Sequence, residues 1–183
     1  MKRWKKHLLR IDSILSKTLH INDKNSFIAL IMKLLAHSGD SWFWLAGLCI
    51  TWLLSEGEWR QRSVFLAVGL TVLSAAVILL KFTVRRPRPK GEWGKVYRIT
   101  DPHSFPSGHA SRAAALAVMG IAAGPPWFAI ALVIWWPWVG ISRVSLCVHY
   151  FSDVAAGWLV GLLMGLIAVA FQPLIIQVFS FLL

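Results

Sequence analysis

Charged residues fall in islands along this chain and leave long apolar stretches between them, a pattern that predicts helices crossing or skirting a membrane. Residues 63–80 carry no charge; at a rise of about 1.5 Å per residue they reach roughly 27 Å, enough for a bilayer core. A shorter run at 41–55 predicts another span, with Trp42, Trp44 and Trp52 suited to interfacial positions. Glu56 to Arg62 forms a polar turn between the two. After a polar loop over residues 81–105, only Arg112 brings charge into residues 104–142. Gly124-Pro125-Pro126 divides that stretch, because two prolines cannot both continue a helix. Spans at about 107–123 and 127–148 follow, the second with a kink expected at Pro137. Asp153 is the last charge, and the 30 uncharged residues after it supply a fifth span to about 171. Gln172-Pro173 ends that span and leaves 174–183 as an interfacial tail.

The amino-terminal region is different. Residues 1–24 place Leu8, Ile11, Leu15 and Leu19 at roughly helical spacing among basic residues, which predicts an amphipathic helix on the membrane surface. No uninterrupted apolar core or small-residue cleavage site follows the basic start, so a signal peptide is not predicted. Residues 26–37 are too short and too interrupted, by Lys33, to cross a bilayer, and predict an interfacial or partly inserted helix. Ser38-Gly39-Asp40-Ser41 offers a turn and a helix N-cap. The expected fold is all-α: a polytopic membrane bundle of about five spanning helices plus N-terminal interfacial helices. It forms one domain, with an interfacial region at 1–37, a helical bundle at 38–171 and a tail at 172–183. Gly157, Gly161 and Gly165 recur every four residues on the last span and allow close approach of a second helix, within the bundle or in another copy.

Composition sharpens this picture. The 183 residues are 57% apolar with mean hydropathy +0.62, yet the net charge is +11. Seven of the 19 Lys and Arg lie in residues 1–24 and seven in residues 81–98, so the charge is concentrated. Such an excess suits anionic lipid headgroups, a phosphorylated substrate or nucleic acid. No nucleic-acid motif accompanies it, and the rest of the chain is lipid-soluble, so nucleic acid is set aside as a partner. Cys49 and Cys147 lie far apart in apolar segments and predict neither a disulfide nor a metal pair.

Three polar islands carry candidate chemistry. They are Lys81 with Arg88-Pro89; Ser104-Phe105-Pro106-Ser107-Gly108-His109; and Ser142-Arg143 with His149 and Asp153. The second sits where a basic loop meets an apolar helix: Ser107 suits an N-cap, and Gly108 lets backbone N–H groups face an anion. His149 and Asp153 share a helix face if the helix extends that far. Singly, each island has an ordinary reading as a positive-inside anchor, a helix-start histidine or a structural pair. An even number of crossings separates them, so five spans bring all three to one side, where collecting so many ionisable groups is costly without a use.

The pattern Lys81-x6-Arg88-Pro89, Pro106-Ser107-Gly108-His109, Ser142-Arg143-x5-His149-x3-Asp153 resembles the three-part signature of the type 2 phosphatidic acid phosphatase superfamily, over roughly residues 38–171. That family includes lipid phosphate phosphatases, bacterial acid phosphatases and vanadium haloperoxidases. The resemblance implies that His149 attacks phosphorus to form a phosphohistidine, with Asp153 holding its tautomer. It implies that His109 protonates the leaving oxygen and then assists water. Lys81, Arg88, Ser107, Gly108 and Arg143 would bind the phosphoryl oxygens, with no metal and no cofactor. Arg85 and Arg86 fall outside the defining positions, with a headgroup or supporting role at most, and His103 is left out of the site. The chain departs from the common pattern at two positions beside His149, with Cys147 near a usual glycine and Phe151 at a usual proline.

The expected activity is removal of a terminal phosphate from a lipid phosphate or diphosphate, such as undecaprenyl diphosphate, phosphatidylglycerol phosphate, phosphatidate or a lipid A phosphate. A lipid phosphotransferase and a non-catalytic anionic-lipid scaffold are the rival readings. The expected location is a bacterial inner (cytoplasmic) membrane. With five spans the positive-inside rule makes the catalytic side cytoplasmic, whereas full insertion of residues 26–37 reverses it. The sequence leaves the side, the substrate and the oligomeric state open.

Overall fold

The computed structural model describes residues 12–21, 23, 25–89 and 101–183. The first 11 residues of the expected amphipathic helix, and 90–100 of the polar loop, lie outside the described residues. Residues 12–18 are helical. There follow α1 (Phe27–Ser38), α2 (Ser41–Leu54), α3 (Glu58–Val84), α4 (Gly108–Ala123), α5 (Pro126–Ser145), α6 (Phe151–Ala170) and α7 (Gln172–Val178), then a 3-10 turn at Ser180–Leu182. Among the described residues the only β feature is an isolated bridge between Pro87 and His103.

Helices α3, α5 and α6 are long and apolar enough to cross a membrane. At 14 and 16 residues, α2 and α4 are shorter, reaching roughly 21 and 24 Å. Helix α3 absorbs both a predicted turn and the start of the predicted loop. Glu58 and Arg62 pair one turn apart at its amino end, and Arg62 Nε donates to Ala123 O at 2.7 Å, so these charges fit the helix rather than break it. Lys81 lies in the last turn of α3, where the helix dipole favours a cation. Helix α5 continues through Pro137 and ends at Ser145, three residues before the expected boundary.

Helix α4 is the axis of the bundle and packs against α6, α5 and α3. Its small residues Ala110, Ala113, Ala114, Ala115 and Ala117 are buried, which lets neighbouring backbones come close. The glycine repeat of α6 faces this surface: a Cβ on Gly157 would lie 2.6 Å from Ser107 O, and one on Gly165 2.9 Å from Val118 Cβ. The repeat therefore serves packing within the chain. On the opposite side of α6, Leu159, Leu163 and Leu166 are exposed, as expected for a surface solvated by lipid tails. Phe65 and Leu73 of α3 meet Leu116 and Met119 of α4 in a fully buried core. The carboxyl-terminal residues fold back: α7 packs on α3, and Trp52 Nε1 donates to Leu182 O at 2.7 Å.

Candidate active site

Four segments deliver the predicted polar residues to one end of the bundle. The last turn of α3 carries Lys81, the following loop Arg88, the first turn of α4 Gly108 and His109, and the last turn of α5 Arg143. These residues and His149 line one cavity of about 470 Å³. Val77, Ile78 and Phe82 of α3 give the same cavity an apolar wall. Arg143 is fully buried and His149 nearly so.

Ser107 and Asp153 stand behind this lining. The Ser107 hydroxyl faces the Ala110 N–H at 3.5 Å, as a helix N-cap does, and the Ser107 N–H donates to Asp153 O at 2.9 Å. The Phe105–Pro106 peptide is cis. The expectation that His149 and Asp153 share a helix face is corrected: α6 begins at Phe151, so His149 lies in the connection and Asp153 in the first turn. The connection turns sharply, with the N–H groups of Val148 and His149 both donating to Arg143 O at 3.0 and 3.2 Å. Cys147 adopts φ +53° there, a left-handed conformation that favours glycine. A reciprocal cap starts α6, the Tyr150 N–H donating to Asp153 Oδ2 at 2.9 Å.

The contacts of His149 define its protonation. Arg88 Nη1 lies 3.0 Å from His149 Nε2, and a guanidinium can only donate, so Nε2 accepts and the imidazole is neutral. The ring proton then sits on Nδ1, which faces Asp153 Oδ2 at 3.6 Å. That separation exceeds a hydrogen bond, although such pairs commonly tighten when substrate binds. Burial first, then the charges of Arg88 and Arg143, hold the His149 pKa down at about 3, against the opposing pull of Asp153.

Several participants were not assigned from sequence. Asp101 accepts from Lys81 Nζ and, at 2.8 Å, from Arg88 Nη2, so its carboxylate sits between two of the predicted phosphate-binding cations. Arg112, the lone charge of the long apolar stretch, lines the cavity and donates through Nη2 to Gly39 O at 3.2 Å. Asp40 makes no side-chain cap on α2; its Oδ1 instead lies 2.7 Å from His109 Nε2. Arg86 donates through Nη1 to Asp153 Oδ1 at 2.7 Å, which makes it a direct partner of the predicted site. His103 lines the cavity, and its carbonyl accepts from Lys81 Nζ at 3.3 Å. Asp40 and Arg86 lie in polar stretches that give no sign of their partners, and the lone charge of Arg112 was the one that stood out from its surroundings in sequence. Among the described residues no group of three His, Cys, Asp or Glu is arranged to hold a metal ion.

Chemically, the arrangement sets a neutral imidazole, with its lone pair held by a guanidinium, beside a second imidazole and a dense positive field. Such a site suits a tetrahedral anion with an apolar appendage.

The family model of the PAP2 superfamily matches residues 62–176. A decaprenylphosphoryl-5-phosphoribose phosphatase of Mycobacterium tuberculosis is 38% identical over 128 residues, covering 65% of this chain and 70% of that protein. An undecaprenyl-diphosphatase of Sulfolobus acidocaldarius is 29% identical over 135 residues, 72% of this chain and 64% of that protein. The crystal structure of a transmembrane PAP2-type phosphatidylglycerolphosphate phosphatase from Bacillus subtilis superposes with a TM-score of 0.76 at 24% identity, over 91% of this chain and 87% of that one, a likeness of fold. With the match covering most of the bundle and all three polar islands, the chain belongs to the PAP2 superfamily.

Proposed function

We propose that this protein is an integral membrane phosphatase that removes the terminal phosphate of a lipid phosphate or lipid diphosphate through a phosphohistidine, in a bacterial inner membrane. The observation that carries this reading is the convergence of Lys81, Arg88, His109, Arg143 and His149 on one cavity with an apolar wall. A soluble ester would have no use for Ile78 and Phe82 at that wall, whereas a lipid tail would.

The phosphoryl group enters between Lys81 and Arg88 and takes the place of the Asp101 carboxylate. Its oxygens draw the Arg88 guanidinium off His149 Nε2, which exposes the lone pair only when an anion is present. Nε2 attacks phosphorus and the bond to the leaving oxygen breaks, while His109 supplies a proton to that oxygen. Asp153 stabilises the resulting charge on the His149 ring. Arg143, Lys81 and the first-turn N–H of Gly108 hold the equatorial oxygens as their charge changes; the Ser107 hydroxyl caps the helix that presents them. Water then attacks phosphorus, His109 takes its proton, and the P–N bond breaks to release phosphate.

Among substrate classes, polyprenyl-linked phosphates have support from the names of two of the relatives. The test is phosphate release by the purified protein from a panel of a polyprenyl diphosphate, a polyprenyl-phosphoryl sugar phosphate, phosphatidylglycerol phosphate, phosphatidate and a lipid A phosphate. Release without an added lipid acceptor is expected, with the His149→Ala variant inactive. Phosphate transfer only to a second lipid would assign a phosphotransferase instead. A His149→Ala variant keeping a tenth of the wild-type rate would remove His149 as nucleophile.

A further inference from the structure

The segment at residues 12–21, expected to lie on the membrane surface, is built into the loop that carries His149. Ile21 N–H donates to Ser145 O at 3.2 Å, and Phe151 N–H donates to Ser16 Oγ at 3.0 Å. Asp12 is the most committed residue of the segment. Its Oδ1 accepts from Ser152 N–H at 2.9 Å, its Oδ2 from the Ser152 hydroxyl at 2.8 Å, and the same oxygen pairs with Arg86 Nη2. The Asp12 side chain is 7% exposed and that of Asp153 is fully buried, so Arg86 bridges two sequestered carboxylates. The Arg86 guanidinium also lies 4.1 Å over the Tyr150 ring, which fixes its plane.

We infer that Asp12 is a positioning residue for the nucleophile, acting through Arg86 on the orientation of Asp153. A buried Arg–carboxylate pair left to itself tends to close bidentately, with two guanidinium nitrogens on both carboxylate oxygens. Here Asp12 and Ser152 compete for the guanidinium: Nη2 goes to Asp12, so only Nη1 reaches Asp153, and it takes Oδ1. Asp153 Oδ2 is thereby left to Tyr150 N–H and to the Nδ1 side of His149. Removing the Asp12 charge lets both Arg86 nitrogens turn onto Asp153, which draws Oδ2 away from His149 and loosens the tautomer that presents Nε2. The amino-terminal segment is in this sense part of the catalytic apparatus.

This inference rests on His149 forming the phosphohistidine proposed above. Rapid quench of the full-length protein with a labelled phosphatidate measures how fast the alkali-stable, acid-labile phosphoenzyme forms and how fast it discharges. The Asp12→Asn variant, nearly isosteric, is expected to form it about tenfold more slowly, the lower end of the cost of removing a partner that orients a metal-bound histidine, with KM and discharge within twofold of wild type. In an Arg86→Ala background the same substitution is expected to cost less than twofold, because its route is gone. Should Asp12→Asn fail to fold, Arg86→Lys makes the same prediction, since one ammonium cannot span both carboxylates as the guanidinium does. Formation at the wild-type rate, or an equal Asp12→Asn penalty with and without Arg86, overturns the inference alone. A wild-type protein that releases phosphate without any phosphoenzyme overturns the nucleophile assignment, and the inference with it.

Discussion

Asp40 Oδ1 lies 2.7 Å from His109 Nε2, across 69 residues of sequence. His37 Nδ1 lies 3.0 Å from the other oxygen of the same carboxylate. Burial alone would raise the Asp40 pKa, but hydrogen bonds with His109 and His37 outweigh it and hold the carboxyl well below its usual range. A permanent anion at this point fixes the orientation of the His109 ring. Gly39 brings the backbone against the same ring, where a Cβ would come 3.2 Å from His109 Cδ2.

From this pair we expect Asp40→Asn to weaken leaving-group protonation selectively. With a lipid alkoxide as leaving group, kcat/KM should fall about 100-fold, the lower range for loss of general acid catalysis. With p-nitrophenyl phosphate, whose leaving group needs little protonation, the fall should stay under about tenfold on the same grounds. Equal losses on both substrates would limit Asp40 to holding the fold together.

The depressed pKa of His149 makes a prediction for pH. Its folded value of about 3 lies below the ordinary value near 6.5, so the unfolded chain binds the extra proton between these limits. The stability contributed by neutral His149 is thus complete above about pH 6.5 and is lost as pH falls toward 3. In activity, kcat/KM should show no acid limb centred near pH 6.5 from this histidine. A pH–rate series from about 4 to 9 checks this, and an acid limb with its midpoint near 6.5 would contradict it.

Asp101 occupies the cationic site as a carboxylate, joined to both Lys81 and Arg88. In the proposed reaction substrate phosphate displaces it, so Asp101→Asn should lower KM and tighten inhibition by vanadate or inorganic phosphate by about fivefold, the upper range of roughly 1 kcal/mol for a part-exposed charge pair, while kcat stays near wild type. Steady-state kinetics with both inhibitors measure this. A raised KM would instead give Asp101 the task of arranging the two cations.

The packing of α4 on α6 leaves no room at Gly161, where an added Cβ would strike the Ser111 carbonyl. Gly161→Ala should therefore destabilise the bundle by about 1–3 kcal/mol, the usual cost of overpacking. Leu163→Ala on the exposed side of the same helix should change stability far less. Thermal unfolding in detergent compares the two, and similar losses would mean that α6 does not meet α4 so closely.

The sequence by itself determined the helical class, the apolar segments available for spans and the three polar islands, because these are local properties of spacing and composition. It also carried the grouping of Lys81, Arg88, His109, Arg143 and His149, since those residues sit at or just beyond the ends of helices whose order brings them to one side. Only the tertiary structure decided the partners that orient the two histidines: Asp40 for His109, and Arg86 with Asp12 for Asp153. Asp12 and Arg86 are 74 residues apart, and no periodicity relates them. A short polar side chain at a helix start looks alike whether it caps its own helix, as Ser107 does, or reaches another, as Asp40 does. The choice depends on which donor the packed bundle brings within about 3 Å, and that distance is fixed by helices meeting in three dimensions.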